Sequence, residues 1–255
     1  MHKPIDKPVG SAASFGDLGL RLRQIRGGAV QKINEALRFV MVDLLRSRAF
    51  VDFYLHRYSS YEEYRRVQIY HNLRKLKRAW ADAETLDLLA DELVARLGSG
   101  PLRGLCHGTR NGFEQNHLNA RNPDFAVTGT DISPSAAQFP NSVVWDFHDE
   151  RAEWLGAFDF VYSNSLDQSW QPRQALEAWL GQVRPGGVVV IEHSEEQSPL
   201  AAGEMDPFGV RPQVVPYVLA EWFGHRVSVS FRESYKQNIG RKTWLFFIMK
   251  TGAAA

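Results

Sequence analysis

Short apolar runs alternate with helix-length polar segments in the C-terminal part of the chain. One run leads into a glycine-bearing turn that begins at Gly104, and four more lie at 125–130, 142–145, 158–162 and 188–191. Such alternation is typical of βαβ units and predicts a parallel sheet. Two further runs, 227–231 and 243–249, predict a final hairpin. The pattern therefore predicts an α/β fold whose mostly parallel sheet has an antiparallel final strand.

Residues 18–97 show helical periodicity instead, and no strand is predicted among them. Ser59-Ser60 precedes two acidic residues and predicts a helix start, because serine caps a helix and acids favour its first turn. A second helix is predicted to begin at Asp82 or Glu84 and to end before Gly98-Ser99-Gly100-Pro101. Apolar residues at three- and four-residue steps predict another helix upstream, with Val30, Ile33, Leu37, Val40, Met41, Leu44 and Leu45 on one stripe.

These patterns divide the chain into three regions. Residues 1–17, rich in Pro, Gly, Ser and Lys, are predicted to be a flexible tail. Residues 18–99 are predicted to be an N-terminal helical extension that serves as a lid or as the dimer layer of a homodimer. Residues 100–255 are predicted to be the domain that contains the sheet and binds the ligand.

Composition restricts the classes of protein that fit. Apolar residues make up 44% and charged residues 23% of the chain, which excludes wholesale disorder. One cysteine excludes an intramolecular disulfide and a metal site built from cysteines. The start of the chain has no apolar segment typical of a secretory signal, and the longest apolar run near the end, 244–249, is too short to cross a bilayer. We therefore expect a cytoplasmic protein without a membrane partner.

The net charge of +1 hides an asymmetry between the two parts of the chain. Residues 1–99 carry seventeen Lys and Arg against twelve Asp and Glu, whereas the rest carries thirteen against seventeen. A nucleic-acid-binding or RNA-modifying protein that uses these basic helices is therefore one alternative. It is disfavoured because the basic residues mingle with acids and show no recognised reader motif.

Polar residues follow the strands at their carboxyl ends, the edge where an open parallel sheet binds ligands. The motifs are, in order, Cys106-His107-Gly108-Thr109-Arg110-Asn111-Gly112-Phe113-Glu114, Thr130-Asp131-Ile132-Ser133, Trp145-Asp146-Phe147-His148 and Tyr162-Ser163-Asn164-Ser165-Leu166-Asp167. This order resembles that of the class I, Rossmann-like S-adenosylmethionine-dependent methyltransferases. It is similar to a less studied branch whose first motif reads Gly-x-Arg-x-Gly and whose members often occur among genes for glycans or secondary metabolites.

The resemblance covers roughly residues 60–195 and implies a Rossmann-like methyltransferase sheet that binds S-adenosylmethionine. It implies that the cofactor is bound by Cys106, His107, Gly108, Arg110, Gly112, Asp131, Ile132, Asp146, Phe147, Ser163 and Asn164. Cys106 stands where the wider class has an acid at the end of the first strand. The resemblance says almost nothing about the substrate, for which we expect a small polar molecule methylated at oxygen or nitrogen.

The glycine turn itself favours S-adenosylmethionine over a dinucleotide. Gly108 fits the tight turn and Gly112 fits close packing of the following helix, but Arg110 stands where a dinucleotide fold needs glycine for its pyrophosphate. S-adenosylmethionine has no phosphate, and its carboxylate could pair with Arg110. A plain tight turn between strand and helix remains the alternative, and nicotinamide-dependent redox chemistry is the disfavoured second enzyme hypothesis.

Two aspartates are candidates for the nucleoside. Asp131 ends the second strand, at about the separation (~20 residues) from the turn at which an acid binds ribose hydroxyls. The alternative is a helix cap, because Asp131-Ile132-Ser133-Pro134 also resembles a helix start. Asp146 lies where the adenine amino group is held in such enzymes, and Phe147 could cover the ring. The alternative for Asp146 is an ordinary loop aspartate.

A general base is needed only if the acceptor is a hydroxyl or a protonated amine. His193 and Asp167, at the ends of the fifth and fourth strands, are the candidates, and His193 is favoured if the acceptor is a hydroxyl. The alternative for His193 is a strand-end structural histidine, and the alternatives for Asp167 are a contact with the methionine part of the cofactor and a helix cap. The irregular segment 194–213 is predicted to bind the acceptor. Several acids and histidines lie near these positions, but none shows a metal-site spacing, so no metal is predicted. A non-catalytic partner subunit with a cofactor fold is a further alternative.

Overall fold

The computed structural model describes residues 53–251, whose main feature is a seven-stranded sheet with helices on both faces. The predicted tail at 1–17 and the predicted apolar stripe at 30–45 lie outside the described residues. The strands, in chain order, are β1 Phe53–Leu55, β2 Leu102–His107, β3 Phe125–Asp131, β4 Ser142–Val144, β5 Phe158–Ser163, β6 Val183–Ser194, β7 Phe208–Val210, β8 Val227–Lys236 and β9 Arg241–Lys250. The α-helices are α1 Tyr61–Arg74, α2 Ala83–Leu97, α3 Phe113–Arg121, α4 Pro172–Gln182 and α5 Val215–Phe223.

The large sheet has the strand order β4-β3-β2-β5-β6-β9-β8 within the described residues. Neighbouring strands from β4 to β6 pair in parallel, whereas β9 pairs antiparallel with both β6 and β8. The chain order reverses between β2 and β5, which makes that crevice the topological switch point of the sheet. The predicted fold class, a mostly parallel sheet with an antiparallel final strand, is confirmed.

The two helices before the sheet begin where the sequence signals predict. The Ser60 hydroxyl accepts the Glu63 N–H at the start of α1, and the Asp82 carboxylate accepts the Thr85 N–H at the start of α2. Both side chains satisfy backbone donors that have no partner inside the helix. Gly98, with φ of 98°, ends α2. These caps place α1 directly before the loop that leads to α2 and the sheet.

Apolar side chains cover both faces of the sheet. On one face Leu86, Leu89 and Leu93 of α2 pack against Phe160 and Val190. On the other face α4 and α5 cover Val161, Val189 and Ile191 through Leu176, Trp179, Val218 and Leu219. The sheet is thus buried on both sides, which is the usual arrangement of a parallel sheet. Its carboxyl-end edge is left for the polar residues of the loops.

Two features differ from the sequence prediction. β1 is a strand inside the region predicted to be helical, and it pairs antiparallel with β7 in a separate two-stranded sheet. β7 in turn lies within the segment 194–213, predicted to be irregular. Both strands have three residues, too few for a period-two pattern to stand out. β6 also begins earlier than predicted, at Val183, with a register shift against β5 near Phe158.

Candidate functional site

The glycine turn after β2 is built from three residues in the left-handed backbone region. The φ angles are 73° at Gly108, 47° at Arg110 and 78° at Gly112. The N–H groups of Gly108 and Thr109 both donate to the Thr130 carbonyl of β3, at 2.8 and 3.0 Å. A Cβ at Gly108 would lie 2.6 Å from the Ser165 Cβ, so glycine is required there for space as well as for conformation. The turn therefore lies close against the end of β5.

Arg110 adopts a conformation that costs an L-residue about 1–2 kcal/mol. In that conformation its backbone N–H donates to Asp131 Oδ2 at 2.9 Å. Its guanidinium donates to the Arg78 carbonyl at 3.0 Å and lines the cleft beside Asp131. The turn thus keeps the backbone path expected for glycine while adding a positive charge to the cleft.

Asp131 is buried at the end of β3 and accepts hydrogen bonds from three donors. Besides the Arg110 N–H, these are the Ser133 N–H and the Asn72 side-chain amide of α1, each 2.8 Å from Oδ1. Burial raises the pKa of the Asp131 carboxyl above its ordinary value, although its N–H donors and the Arg110 charge act in the opposite direction. Ser133, not Asp131, is the N-cap of the following turn at Pro134–Gln138.

Asp146 lies two residues beyond β4 and is bound from two sides. Its Oδ1 accepts the His148 N–H at 3.0 Å and the His148 ring nitrogen Nδ1 lies 2.6 Å away, while Oδ2 accepts the Tyr61 hydroxyl of α1 at 2.9 Å. Burial alone would raise the pKa of Asp146, but the hydrogen bonds and charge of His148, with the Tyr61 hydroxyl, bring it below its ordinary value. Asp146 is therefore held as an anion at the edge of the sheet.

Helix α1 covers this edge and is attached at both sides of it. Asn72 and Tyr61 bind the two aspartates, while Gln68 donates to the Met205 carbonyl at 3.1 Å in the loop after β6. Lys75, just past the helix, lies 2.8 Å from the Met205 sulfur. The cleft beneath has a volume of about 30 Å³, room for about one water molecule. In this arrangement α1 occupies the positions from which a ligand would reach both aspartates.

Aromatic rings pack between α1 and the sheet edge. Tyr64, which is 2% exposed, stacks on Trp170 with ring centres 5.5 Å apart, and its ring edge meets His148. Tyr61 also contacts Trp170. The Tyr61 hydroxyl also binds Asp146 in the cleft.

The end of β5 joins the glycine turn through a polar network. The Ser163 and Ser165 hydroxyls donate to the carbonyls of His107 and Gly108, at 3.0 and 3.2 Å. The Asn164 side-chain amide donates to Glu114 Oε1 of α3 at 3.1 Å. Glu114 follows the turn directly and is 4% exposed. These hydrogen bonds join the carboxyl ends of β2 and β5 at the crevice between the two strands.

The two candidate bases lie in different surroundings. Asp167 is buried in the turn after β5, and burial together with the nearby Asp206 carboxylate raises its pKa to about 8. His193 is buried on β6, where its ring Nε2–H donates to the Val210 carbonyl at 2.7 Å and burial lowers its pKa to about 4. Asp167 faces the charge of Lys75, which lines the cleft, whereas His193 faces β7.

The structure places some of the predicted site residues on the wall of the cleft and others in the buried interior. The residues that line the cleft are Gly108, Arg110, Asp131, Ile132, Asp146 and Phe147. The other predicted site residues are buried and do not line the cleft; they are Cys106, His107, Gly112, Ser163, Asn164, Asp167 and His193. Cys106 is part of the apolar core, and the His107 ring is bound between Thr130 and Gln182 and stacked on Trp179. These two side chains are placed to support the turn.

Sequence reasoning missed the side chains that α1 brings to the cleft. Tyr61, Gln68, Asn72 and Lys75 all contact the sheet edge or the loop after β6. Their helical spacing, with steps of seven, four and three residues, puts them on one face of the helix. A row of polar residues on one face of a helix is the signal in the sequence that could have predicted packing of this face on a polar cleft.

Comparison with known proteins gives structural likenesses and no family by sequence. No family model and no curated protein sequence matches the chain. An N1-methyltransferase of 1,6-didemethyltoxoflavin from Burkholderia thailandensis, whose structure contains 1,6-didemethyltoxoflavin and S-adenosylhomocysteine, superposes with a TM-score of 0.59 at 15% identity, covering 76% of this chain and 92% of its own. A putative methyltransferase of Haloferax volcanii, solved with the Trm112 activator, has a TM-score of 0.51 at 15% identity, covering 74% and 97%.

The chain has the Rossmann-like methyltransferase fold. The [4+2]-cyclase SpnF shares the fold, with a TM-score of 0.52 at 13% identity over 73% of this chain and 94% of its own. Proteins that share the Rossmann-like methyltransferase fold therefore differ in the reaction they are named for, so the fold alone does not define the chemistry of this chain.

Between residues 53 and 251 no helix has the length and apolar character needed to traverse a bilayer. In the same part of the chain no three or more His, Cys, Asp or Glu side chains are grouped so that they could hold a metal ion.

Proposed function

We propose that the protein is a methyltransferase that uses S-adenosylmethionine to methylate the oxygen or nitrogen of a small polar molecule, of the glycan or secondary-metabolite type. The observation that carries the proposal is the row of polar groups along one edge of a Rossmann-like methyltransferase sheet. Asp146, Asp131 and the turn with Arg110 follow one another at the ends of β4, β3 and β2. This row matches the adenine, ribose and methionine parts of the cofactor.

The roles follow from what each group offers. Asp131 presents a carboxylate that can accept both hydroxyls of a ribose, and Asp146 can accept the adenine amino group, with Phe147 beside it on the cleft wall. The Arg110 guanidinium can pair with the carboxylate of the methionine tail. S-adenosylmethionine, when bound, supplies an electrophilic methyl group, and its transfer depends mainly on positioning by the protein.

Binding of the cofactor requires α1 to move. Pockets for ligands of this size measure roughly 300–1,000 Å³, whereas the cleft measures about 30 Å³. The Asn72 amide and the Tyr61 hydroxyl bind the two carboxylates that the nucleoside needs. We infer that α1 swings or slides off the edge, and that the ligand hydroxyls and amino group then replace the bonds from the helix.

The acceptor is proposed to bind between α1 and the loop after β6. Tyr58, Gln68 and Lys75 contact that loop at Glu204 and Met205, so movement of α1 opens the acceptor side together with the cofactor side. Asp167 is the better placed of the two candidate bases, since it faces Lys75 on the cleft, whereas His193 faces β7. The Asp167 Oδ1 atom has no hydrogen-bond partner among the described residues.

Calorimetric titration with S-adenosylhomocysteine and with NAD tests the proposal. We expect the first to bind and the second to give no heat, because Arg110 blocks the close backbone approach that a pyrophosphate needs. Asp131→Ala should weaken binding by roughly 2–4 kcal/mol, since about two charge-assisted hydrogen bonds are lost.

Asp124→Ala is the matched control, because Asp124 is exposed beside the opposite end of the same strand. Binding of NAD without binding of S-adenosylhomocysteine would reject the proposal. Unchanged affinity in a folded Asp131→Ala variant would remove Asp131 from the site. Binding of the cofactor product, with no methyl transfer to any acceptor in a screen with labelled donor, would favour the non-catalytic partner subunit.

A further inference from the structure

The cofactor proposed above would extend along the sheet edge beyond Asp131. Asp146 and Asp131 lie at the ends of β4 and β3, and the next strands in the sheet are β2 and β5. A ligand whose nucleoside lies at the ends of β4 and β3 must place its other end at the crevice between β2 and β5, the topological switch point. In S-adenosylmethionine that end is an amino acid, with one carboxylate and one ammonium group.

A buried carboxylate lies at that crevice. Glu114 is the second residue of α3, directly after the glycine turn, and its Oε1 accepts the Asn164 amide from the end of β5 at 3.1 Å. The residue is 4% exposed, and its Oε2 has no hydrogen-bond partner among residues 53–251. A buried carboxylate oxygen without a donor is costly, so a feature of this kind calls for a donor that arrives from outside.

The charged and polar groups around Glu114 leave room for a cation beside its carboxylate. The Arg110 guanidinium in the turn favours the carboxylate anion, whereas Glu192 on β6 disfavours it through its negative charge. The Cys106 thiol lies near Glu114 at the end of β2. Glu192 is itself paired with the buried Lys236 and accepts the Tyr162 hydroxyl. Burial raises the pKa of Glu114 to about 7, although the Asn164 hydrogen bond and the more distant Arg110 charge act in the opposite direction.

We propose that Glu114 binds the ammonium group of the methionine part of the cofactor, so that a helix residue takes the place of the strand-end acid replaced by Cys106. The inference rests on the proposed function and assigns a binding residue to it. Arg110 is then free to bind the carboxylate of the same amino acid. Each of the two charged groups of the methionine part would thus face a protein side chain of opposite charge. Asn164 holds the Glu114 carboxylate in place for this contact.

The competing role for Glu114 is that of an acid in the first turn of a helix, where it interacts favourably with the N-terminal N–H groups. Glu84 provides a matched control, because it stands in the first turn of α2 and is exposed. A purely structural role of Glu114 would change the stability of the protein, and its effect on ligand affinity would not depend on whether the ligand carries an amino group.

The ligand itself gives the first test and needs no variant. We expect wild-type protein to bind S-adenosylhomocysteine about ten- to hundredfold more tightly than its deaminated analogue, on the scale of one hydrogen bond between charged groups. Equal affinity for the two ligands in calorimetry would overturn the proposal.

Glu114→Gln gives the second test, in the form of a double-mutant cycle. We expect the variant to lose about ten- to hundredfold in affinity for S-adenosylhomocysteine while binding the deaminated analogue and 5′-methylthioadenosine within about twofold of wild type. Asp131→Asn should weaken all three ligands, and Glu84→Gln should weaken none. A Glu114→Gln variant that still distinguishes the amino from the deamino ligand as wild type does would overturn the assignment.

The outcomes separate this inference from the proposed function. If wild type binds none of the three adenosine ligands, the proposed function fails and the inference fails with it. If all three bind and Asp131→Asn weakens them, but the amino group makes no difference, the proposed function stands and only the role of Glu114 is rejected.

Discussion

Burial moves the pKa values of the two candidate bases in opposite directions. It raises that of the Asp167 carboxyl to about 8, with help from the Asp206 charge, and lowers that of the His193 ring to about 4. Burial disfavours the charged form, which is the anion for a carboxyl and the cation for an imidazole. Near neutral pH Asp167 is therefore largely protonated and His193 is neutral. The two residues predict different pH profiles for any reaction that needs a base.

If Asp167 is the base, methyl transfer to a hydroxyl should rise with pH and level off above about 8, because only the ionised carboxylate accepts a proton. If His193 is the base, the rate should already be level from about pH 5, since its pKa is about 4. We expect the first profile, and we expect Asp167→Asn to remove the rise and to lower the rate by about 10²–10⁴ at pH 8. The measurement is initial rate against pH with an acceptor found by labelled-methyl screening.

His193→Ala is the companion variant for this prediction. A change of less than about threefold is expected from it, against the 10²–10⁴ that one positioned base contributes. A large loss in His193→Ala with an unchanged profile in Asp167→Asn would assign the base to His193 instead.

At the scale of elements, α1 is the part of the molecule that covers the cleft proposed to bind the cofactor. Its bonds to Asp131, Asp146 and the loop after β6 close the cleft. The sequence predicted this helix from its cap at Ser60, because capping depends on residues next to one another in the chain. The cleft-facing role of Asn72 and Tyr61 could not be predicted, since it depends on where the helix packs against strand ends more than fifty residues away.

The same distinction explains the other successes and failures. Gly108, Arg110, Asp131 and Asp146 could be predicted to lie together because each lies at the end of a strand or within three residues of it, and parallel strands bring their carboxyl ends to one edge. The pairing of β1 with β7 was missed because three-residue strands carry no periodic pattern. The burial of His193 was likewise hidden, since the segment that covers it was predicted to be irregular. The roles of the site residues stay predictions until ligands are measured.

Asn72→Ala should increase affinity for S-adenosylhomocysteine by up to about tenfold. The variant loses the bond that holds α1 on Asp131, so the open form is more populated and the carboxylate is free for the ribose. Titration calorimetry measures the change, and Asn116→Ala on α3 is the control, because that side chain contacts Asn141 and not the cleft. Weaker binding in Asn72→Ala would instead mean that Asn72 contacts the ligand and that α1 closes on it.

At the scale of the whole molecule, the helices before the sheet contribute to its core as well as to its cleft. Leu86, Leu89 and Leu93 of α2 are fully buried in the cluster that contains Phe160 and Val190. The central strands β2 and β5 therefore depend on α2 to cover one of their faces. The predicted boundary at 98–101 separates the helical pattern from the strand pattern in the sequence, but helix α2 before it and the sheet after it share one apolar core.

A chain limited to residues 100–255 is accordingly expected to be insoluble, or to bind no S-adenosylhomocysteine. Removing the three leucines alone withdraws roughly 5–9 kcal/mol of apolar burial, at about 1.5–3 kcal/mol for each side chain, which is comparable to the whole stability of an ordinary domain. The full chain is the control and is expected to unfold cooperatively, as followed by circular dichroism, and to bind the ligand. A soluble 100–255 chain with cooperative unfolding and normal affinity would show that the helical region is a separable module. The packing of α2 on the sheet would then not be required for folding.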